Sequence, residues 1–356
     1  MEDLGLDRYW KARRVFMTGA TGFKGAWLSL WLESLGADQY TVSLPPDSSY
    51  PLYEKFDLPR GGSHHFADIR DAVTLSRHLD AAQPEIVIHM AAQALVRRSY
   101  SDPIETYTSN VLGTVNLLEA VRKSSSVKAV LVVTSDKVYA NDESGRHFSE
   151  GDRLGGKDPY STSKACTELI CDSYRDAFFR DTQIKLVTAR AGNVIGGGDW
   201  AEERLVPDIV RASAKGDTIL LRFPHATRPW QHVLEPLSGY LRYIQALAES
   251  RPGAVPNSLN FGPSRRNAVS VSTLTTAFQK MLGLEATSEQ DVGAHPREAT
   301  LLTLNSQLAS DSIGWQPRLT LEQTVEWTAE WYLANREGHD MREFTLQQIA
   351  RYGNLA

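Results

Sequence analysis

The stretch Arg14-Val15-Phe16-Met17-Thr18-Gly19-Ala20-Thr21-Gly22-Phe23-Lys24-Gly25 decides how the rest of the chain is read. An apolar run of strand length at 14–18 leads straight into a glycine loop, and an amphipathic stretch over 25–35 predicts a helix behind it. In this setting Gly19 permits a tight turn, Gly22 lets the backbone come close to a pyrophosphate, and Gly25 allows the helix to pack on the strand. The helix N-terminus then turns unpaired N–H groups toward an anion. A dinucleotide site is therefore expected at this first strand-to-helix junction, with Thr21 and Phe23 completing its loop.

Outward from this junction the same alternation continues. Further strands are predicted at 40–44, 86–90, 129–134 and 185–189, and helices at 74–82, 106–123 and 161–179. Strand and helix in turn give an α/β fold of the Rossmann type, a doubly wound and mainly parallel sheet. Beyond Asn193 the elements shorten and are punctuated by Gly196-Gly197-Gly198-Asp199 and by proline-bearing segments. The expected division is a dinucleotide-binding domain over 1–192, with pieces near 230–256 returning to it, and a smaller substrate lobe over 193–356.

The chain has 356 residues, 42% hydrophobic and 23% charged, with a formal net charge of -5. This composition suits a folded globular protein and gives no electrostatic reason to expect nucleic acid or an anionic membrane as partner. Its first residues, Met1 to Trp10, are acidic and lack a signal-peptide core, so a cytoplasmic location is expected. The two cysteines, Cys166 and Cys171, would stand about 7.5 Å apart along a helix and are read as free thiols. No Cys/His/Asp cluster has metal-ligand spacing, so no metal is expected.

The second strand runs into Ser43-Leu44-Pro45-Pro46, where an acidic residue would ordinarily hold the adenosine ribose, and Asp47 is the nearest carboxylate. No arginine stands there for a 2'-phosphate, which favours NAD over NADP. Asp68 and Ile69 are placed to meet the adenine, and the small residues Ala91 and Ala92 to let backbone lie close to the dinucleotide. Tyr160 and Lys164 are four residues apart, hence on one helical face, where an ammonium can lower a phenol's pKa and bind the cofactor ribose. Ser135 ends a central strand and Asn110 lies on an earlier helix able to reach the same crevice.

The glycine loop, Asn110, Ser135 and the Tyr160/Lys164 pair together resemble the extended short-chain dehydrogenase/reductase family, and the resemblance covers nearly the whole chain. It implies a Rossmann domain with a C-terminal substrate lobe, NAD as cofactor, and Tyr160 as the base on a sugar hydroxyl, assisted by Ser135 and Lys164. Asp136 and Lys137 after Ser135 narrow it. Dehydratases of this family carry an acid followed by Glu there, and Asp-Lys is a feature of the branch acting on CDP-glucose. That branch is also resembled in the segments 21–25, 92–93 with 96–100, 154–160, 189–200 and 228–234, with Ala94 a mismatch where the branch implies Pro. The resemblance implies a nucleotide-sugar 4,6-dehydratase with CDP-glucose as substrate. Asp136 would protonate the departing 6-hydroxyl. Lys137 is expected to be the C5 base, the alternative being that it stays charged and stabilises the enolate.

For the substrate end, Gln93, Arg190, Asn193, Arg204 and Arg228 are the expected binding residues, with Arg265 or Arg266 as further candidates, because arginine's planar fork suits diphosphate oxygens. Trp200 and Trp230 are candidates for stacking on base or sugar. A homodimer is implied, touching through the helices within 106–123 and 161–179. The rival readings are an epimerase or a dehydratase for another nucleotide, and a non-catalytic NAD-binding regulator. Asp136 argues against an epimerase, and an intact Ser135/Tyr160/Lys164 set argues against a non-catalytic regulator.

Overall fold

The computed structural model describes residues 6–46, 52–58, 62–251, 253–283, 287–293 and 301–355. Seven strands, β1 (Arg14–Thr18), β2 (Asp38–Ser43), β3 (Ser63–Phe66), β4 (Ile86–His89), β5 (Ala129–Val133), β6 (Lys185–Ala191) and β7 (Ser258–Phe261), form one sheet. Their order is β7-β6-β5-β4-β1-β2-β3 and every neighbouring pair is parallel. β5 is Ala-Val-Leu-Val-Val, buried throughout, as a central strand covered on both faces must be. Two strands had no clear sequence signal. β3 reads Ser-His-His-Phe, without an apolar run, and β7 lies just beyond the 230–256 window.

The side chains of β1 alternate between two cores. Val15 and Met17 join Trp27 and Leu30 of helix α1 (Phe23–Ser34) on one face, while Phe16 joins Leu75 and Leu79 of α2 (Ala72–Ala82) on the other. The second face is completed by α3 (Gly113–Lys123) and α4 (Pro159–Tyr174). The helix expected over 106–123 is not continuous. A π-helical turn at Thr108–Leu112 precedes α3 and carries Asn110, in keeping with the tendency of such bulges to lie at functional sites. α4 starts at Asp158, whose side chain accepts from the Ser161 N–H at 2.8 Å, with Pro159 in its first turn.

The first face is closed by segments distant in sequence. α5 (Leu205–Lys215) packs against the helix at Val271–Met281, whereas α6 (Leu234–Glu249) packs on β5, β6 and β7. α7 (Leu321–Arg336) packs on α8 (Met341–Gly353), which covers α1. The loop after β6 is tied down by buried hydrogen bonds: Trp27 Nε1 donates to the Gly197 carbonyl at 2.9 Å, and the Tyr332 hydroxyl to the Asp199 carbonyl at 2.5 Å. No described helix is long and apolar enough to cross a membrane.

Candidate active site

The carboxyl ends of the parallel strands open onto two adjoining cavities, where open α/β sheets place their ligands. The first, about 420 Å³, lies over the glycine loop and falls within the ordinary range for small-molecule sites, about 300–1,000 Å³. Gly19, Thr21, Gly22, Phe23 and Gly25 form its floor, and Asp68, Ile69, Ala91, Ala92, Gln93, Tyr160 and Lys164 stand on its walls. The glycines are needed sterically. Gly19 has φ +80° and a Cβ there would lie 2.6 Å from the Ala91 nitrogen, while one on Gly25 would lie 2.0 Å from the Gly19 carbonyl oxygen. Gly22, the N-cap of α1, brings no side-chain cap, so the first N–H groups of that helix face the cavity with their donor capacity unspent. The Asp68 carboxylate is held by Arg70, and that bonding keeps it below the usual range. Asp47, expected near the ribose, lies outside the described residues. This cavity fits a dinucleotide: a backbone cradle and helix terminus for phosphates, with small residues where the chain must approach closely.

The second cavity, about 310 Å³, lies between residues 134–137 at the end of β5 and residues of the segments 191–208 and 219–230. Ser135, Asp136, Lys137 and Tyr160 border it on the sheet side, and Asn193, Arg204, Arg228 and Trp230 on the other. Ser135 caps a short 3-10 turn, accepting from the Lys137 N–H at 3.2 Å and donating to Asp136 Oδ1 at 3.0 Å. Lys137 Nζ stands 3.6 Å from the same oxygen. Asp136 is 1% exposed, yet its Oδ2 has no hydrogen-bond partner. A buried carboxylate oxygen left unpaired beside a cavity is a group with capacity for a substrate.

Burial raises the pKa of the Tyr160 phenol, and the Lys137 ammonium is the strongest influence pulling it back, followed by the Ser135 hydroxyl. The expected partner was Lys164. Its ammonium instead donates to the Val133 carbonyl at 3.1 Å on the dinucleotide side, and burial brings its pKa down to about 8.

Three further expectations are corrected. Arg190 does not reach the substrate cavity. It is 4% exposed, its guanidinium pairs twice with Glu168, at 3.0 and 2.8 Å, and it also donates to the Tyr139 hydroxyl and the Glu150 carbonyl. Asn110 lines neither cavity. Its amide bridges the backbone of Gln93 and the Ser163 hydroxyl, making it a positioning residue that fixes α4 against the β4 loop. Gln93 lies on the dinucleotide side, with its amide engaged by Leu95 and Thr106. Of the added candidates, Arg266 is exposed and away from both cavities, and the Arg265 side chain lies outside the described ones. Trp230 lines the second cavity and Trp200 the first.

Sequence reasoning overlooked Lys24, which lines both cavities, and Arg97 and Arg222, which line the second. Lys24 stood inside the quoted glycine loop. A cation in a loop built for phosphate was the available signal. Cys166 and Cys171 are unpaired, and burial pushes the Cys171 thiol far up, which leaves it inert. Among the described residues no group of three His, Cys, Asp or Glu side chains could hold a metal ion.

Comparison with known proteins gives the following. The family model described as GDP-mannose 4,6 dehydratase matches residues 16–328. The chain is 42% identical to a CDP-glucose 4,6-dehydratase of Salmonella typhimurium over 97% of each chain. It is 25% identical to a dTDP-glucose 4,6-dehydratase of Shigella flexneri, over 90% of this chain and 93% of that one. A UDP-glucose 4-epimerase of Thermus thermophilus, solved in complex with NAD, shares the fold with a TM-score of 0.77 and 22% identity, over 90% of this chain and 99% of that one.

Proposed function

We propose, from the premise that the chain belongs to the GDP-mannose 4,6-dehydratase family, that it is an NAD-dependent 4,6-dehydratase converting CDP-D-glucose to CDP-4-keto-6-deoxy-D-glucose. The observation that carries the nucleotide assignment is the gap between 42% identity to a CDP-glucose enzyme and 25% to a dTDP-glucose enzyme, each over at least 90% of this chain. NAD, when bound, supplies the hydride acceptor for C4 and the donor that returns it to C6, so none is consumed.

Tyr160 takes the proton of the sugar 4-hydroxyl. Its burial makes the phenolate that must accept this proton costly, and the Lys137 ammonium and Ser135 hydroxyl offset that cost. The resulting 4-ketone acidifies C5–H. Lys137 is assigned as the group that removes this proton and Asp136 as the acid that protonates the departing 6-hydroxyl. Elimination leaves Lys137 and Asp136 as the ion pair seen at 3.6 Å. On reduction at C6 Lys137 returns its proton to C5, and the proton that Tyr160 took from the 4-hydroxyl passes to Asp136, which resets all three groups. Arg204 and Arg228 are assigned to the diphosphate, with Asn193 beside them.

A cytoplasmic homodimer is part of the same reading. Leu112 and Leu169 are 48% and 57% exposed on the segments expected to meet, which supports an apolar contact there, and sedimentation in solution checks it.

The functional test is incubation with CDP-glucose and mass analysis of the product. Loss of one water is expected, and deuterium placed at C4 is expected at C6. Faster turnover of a UDP-, dTDP- or GDP-hexose would overturn the nucleotide assignment. Stoichiometric release of NADH would instead make the enzyme a simple dehydrogenase.

A further inference from the structure

Gly192, in the segment 189–200, has no part in the chemistry assigned above. Parallel pairing of β5 with β6 sets Val133 beside Ala189, and each chain runs on three residues, to Asp136 and to Gly192. Both residues border the second cavity. The backbone does not require a glycine here, because Gly192 lies outside the left-handed region. Its neighbour does. A Cβ on Gly192 would lie 2.8 Å from Asp136 Oδ2, 3.3 Å from Cγ and 3.6 Å from Cβ, so the three atoms nearest to it all belong to that one side chain. At Gly197 and Gly239 the same space is filled by an aromatic ring, Trp331 or Phe261, as close packing of a core demands. At Gly192 it is filled by the oxygen of Asp136 that has no hydrogen-bond partner.

We propose that Gly192 is a positioning residue for the elimination step, its missing side chain keeping Asp136 Oδ2 open to the sugar 6-hydroxyl. This rests on the dehydratase reading given above. Oδ1 accepts from the Ser135 hydroxyl at 3.0 Å and faces the Lys137 ammonium. Oδ2 is thereby left as the oxygen that carries the acid's proton and hands it to the 6-hydroxyl as the C6–O bond breaks. The backbone at 192 cannot draw back to make room. It is anchored on one side by the Arg190 guanidinium on Glu168, and on the other by the Gln231 N–H, which donates to the Asn193 carbonyl at 3.1 Å. A methyl at 192 therefore moves the carboxylate, turning Oδ2 away from the sugar and straining the Ser135 bond. The dinucleotide cavity, which Gly192 does not line, keeps its shape. Oxidation at C4 then proceeds and elimination stalls.

The test measures turnover of CDP-glucose by the intact protein with NAD, together with the absorbance of reduced nicotinamide during a single turnover, for the wild type, Gly192→Ala, Asp136→Asn and the double variant. Gly192→Ala is expected to lose about a hundredfold in turnover, less than removal of the acid itself, with reduced cofactor persisting where the wild type reoxidises it. Because Gly192 acts through Asp136, adding Gly192→Ala to Asp136→Asn should change turnover by less than about threefold. Turnover of Gly192→Ala within about threefold of wild type, or a loss that adds in full to that of Asp136→Asn, would overturn the proposal and leave the dehydratase reading standing. Denaturant unfolding covers the case in which Gly192→Ala does not fold. Asp136→Ala takes away the two atoms nearest to the added methyl, so Gly192→Ala combined with Asp136→Ala should be as stable as Asp136→Ala alone. Rescue of that kind upholds the contact, and its absence overturns the proposal. A wild type that removes no water from any of the nucleotide hexoses named above would overturn the dehydratase reading, and this inference with it.

Discussion

Glu168 and Asp136 are both 1% exposed, and each faces a cation: Arg190 at 2.8 Å in one case, Lys137 at 3.6 Å in the other. Glu168 is saturated. Thr134 and Thr188 donate to its two oxygens at 2.5 and 2.7 Å, and the Arg190 fork spans both. Asp136 accepts only on Oδ1, and its pair sits on a cavity wall with the lysine side chain 27% exposed. Full satisfaction fixes a buried pair and makes it part of the scaffold. An incomplete pair keeps an oxygen for a substrate and a cation that can move. The difference separates structural from chemical charges more sharply than burial or pairing alone.

The largest effect that would test this contrast is on the open pair. Asp136→Asn keeps the shape and removes the acid, and turnover is expected to fall by about a thousandfold with dinucleotide binding retained. In the partner variant, Lys137→Met, single-turnover oxidation at C4 should persist while exchange of the C5 proton with deuterated water stops. Normal exchange in that variant would remove Lys137 from the base role.

The closed pair should respond in the other currency. Arg190→Met leaves Glu168 buried and uncompensated, and is expected to lower stability by about 3–5 kcal/mol in denaturant unfolding. Turnover per folded molecule should stay within about threefold of wild type, since the site lies outside the cavities. A stable Arg190→Met protein with weakened substrate binding would return the residue to the diphosphate site.

A third carboxylate sharpens the comparison because no cation is bonded to it. Glu235 on α6 accepts from the Arg318 and Leu319 N–H groups at 2.9 and 2.6 Å and from the Tyr352 hydroxyl at 2.8 Å. Burial raises its pKa from 4.5 to about 7. Between those values the folded protein holds a proton that the unfolded chain has released. Its contribution is thus complete below 4.5 and is lost as pH rises through about 7, a change of about 3 kcal/mol. Glu235→Gln should flatten the pH dependence of stability over that window, measured by chemical unfolding. An unchanged slope would mean that Glu235 does not carry it.

The parts read correctly from sequence were those with local causes. β1, the glycine loop and α1 follow from consecutive residues, and the start of α4 from Asp158 and Pro159. The sheet pattern was legible wherever strands were apolar on both faces. It failed at β3, where Thr41 meets His64 and Tyr40 stacks on His65, so that cross-strand polar and ring contacts hold a strand that its composition does not announce. It failed at β7 because a four-residue strand on the sheet edge carries too little pattern to stand out.

The sequence by itself determined the alternation of the apolar strands with helices, the dinucleotide loop, the run Ser135-Asp136-Lys137 at a strand end and the Tyr160/Lys164 pair on one helical face, because each depends on neighbours a few residues away. Only the tertiary structure decided which charges work and which are spent. Arg190 and Arg228 look equivalent along the chain, yet the first is claimed by Glu168 and the second borders the substrate cavity. Lys24 looks like one more loop cation until Tyr240, Arg204 and Lys164, from three distant segments, close around it. The field at an ionisable group is a sum over whatever the fold brings within a few ångströms, and that sum is fixed by long-range packing rather than by position in the chain.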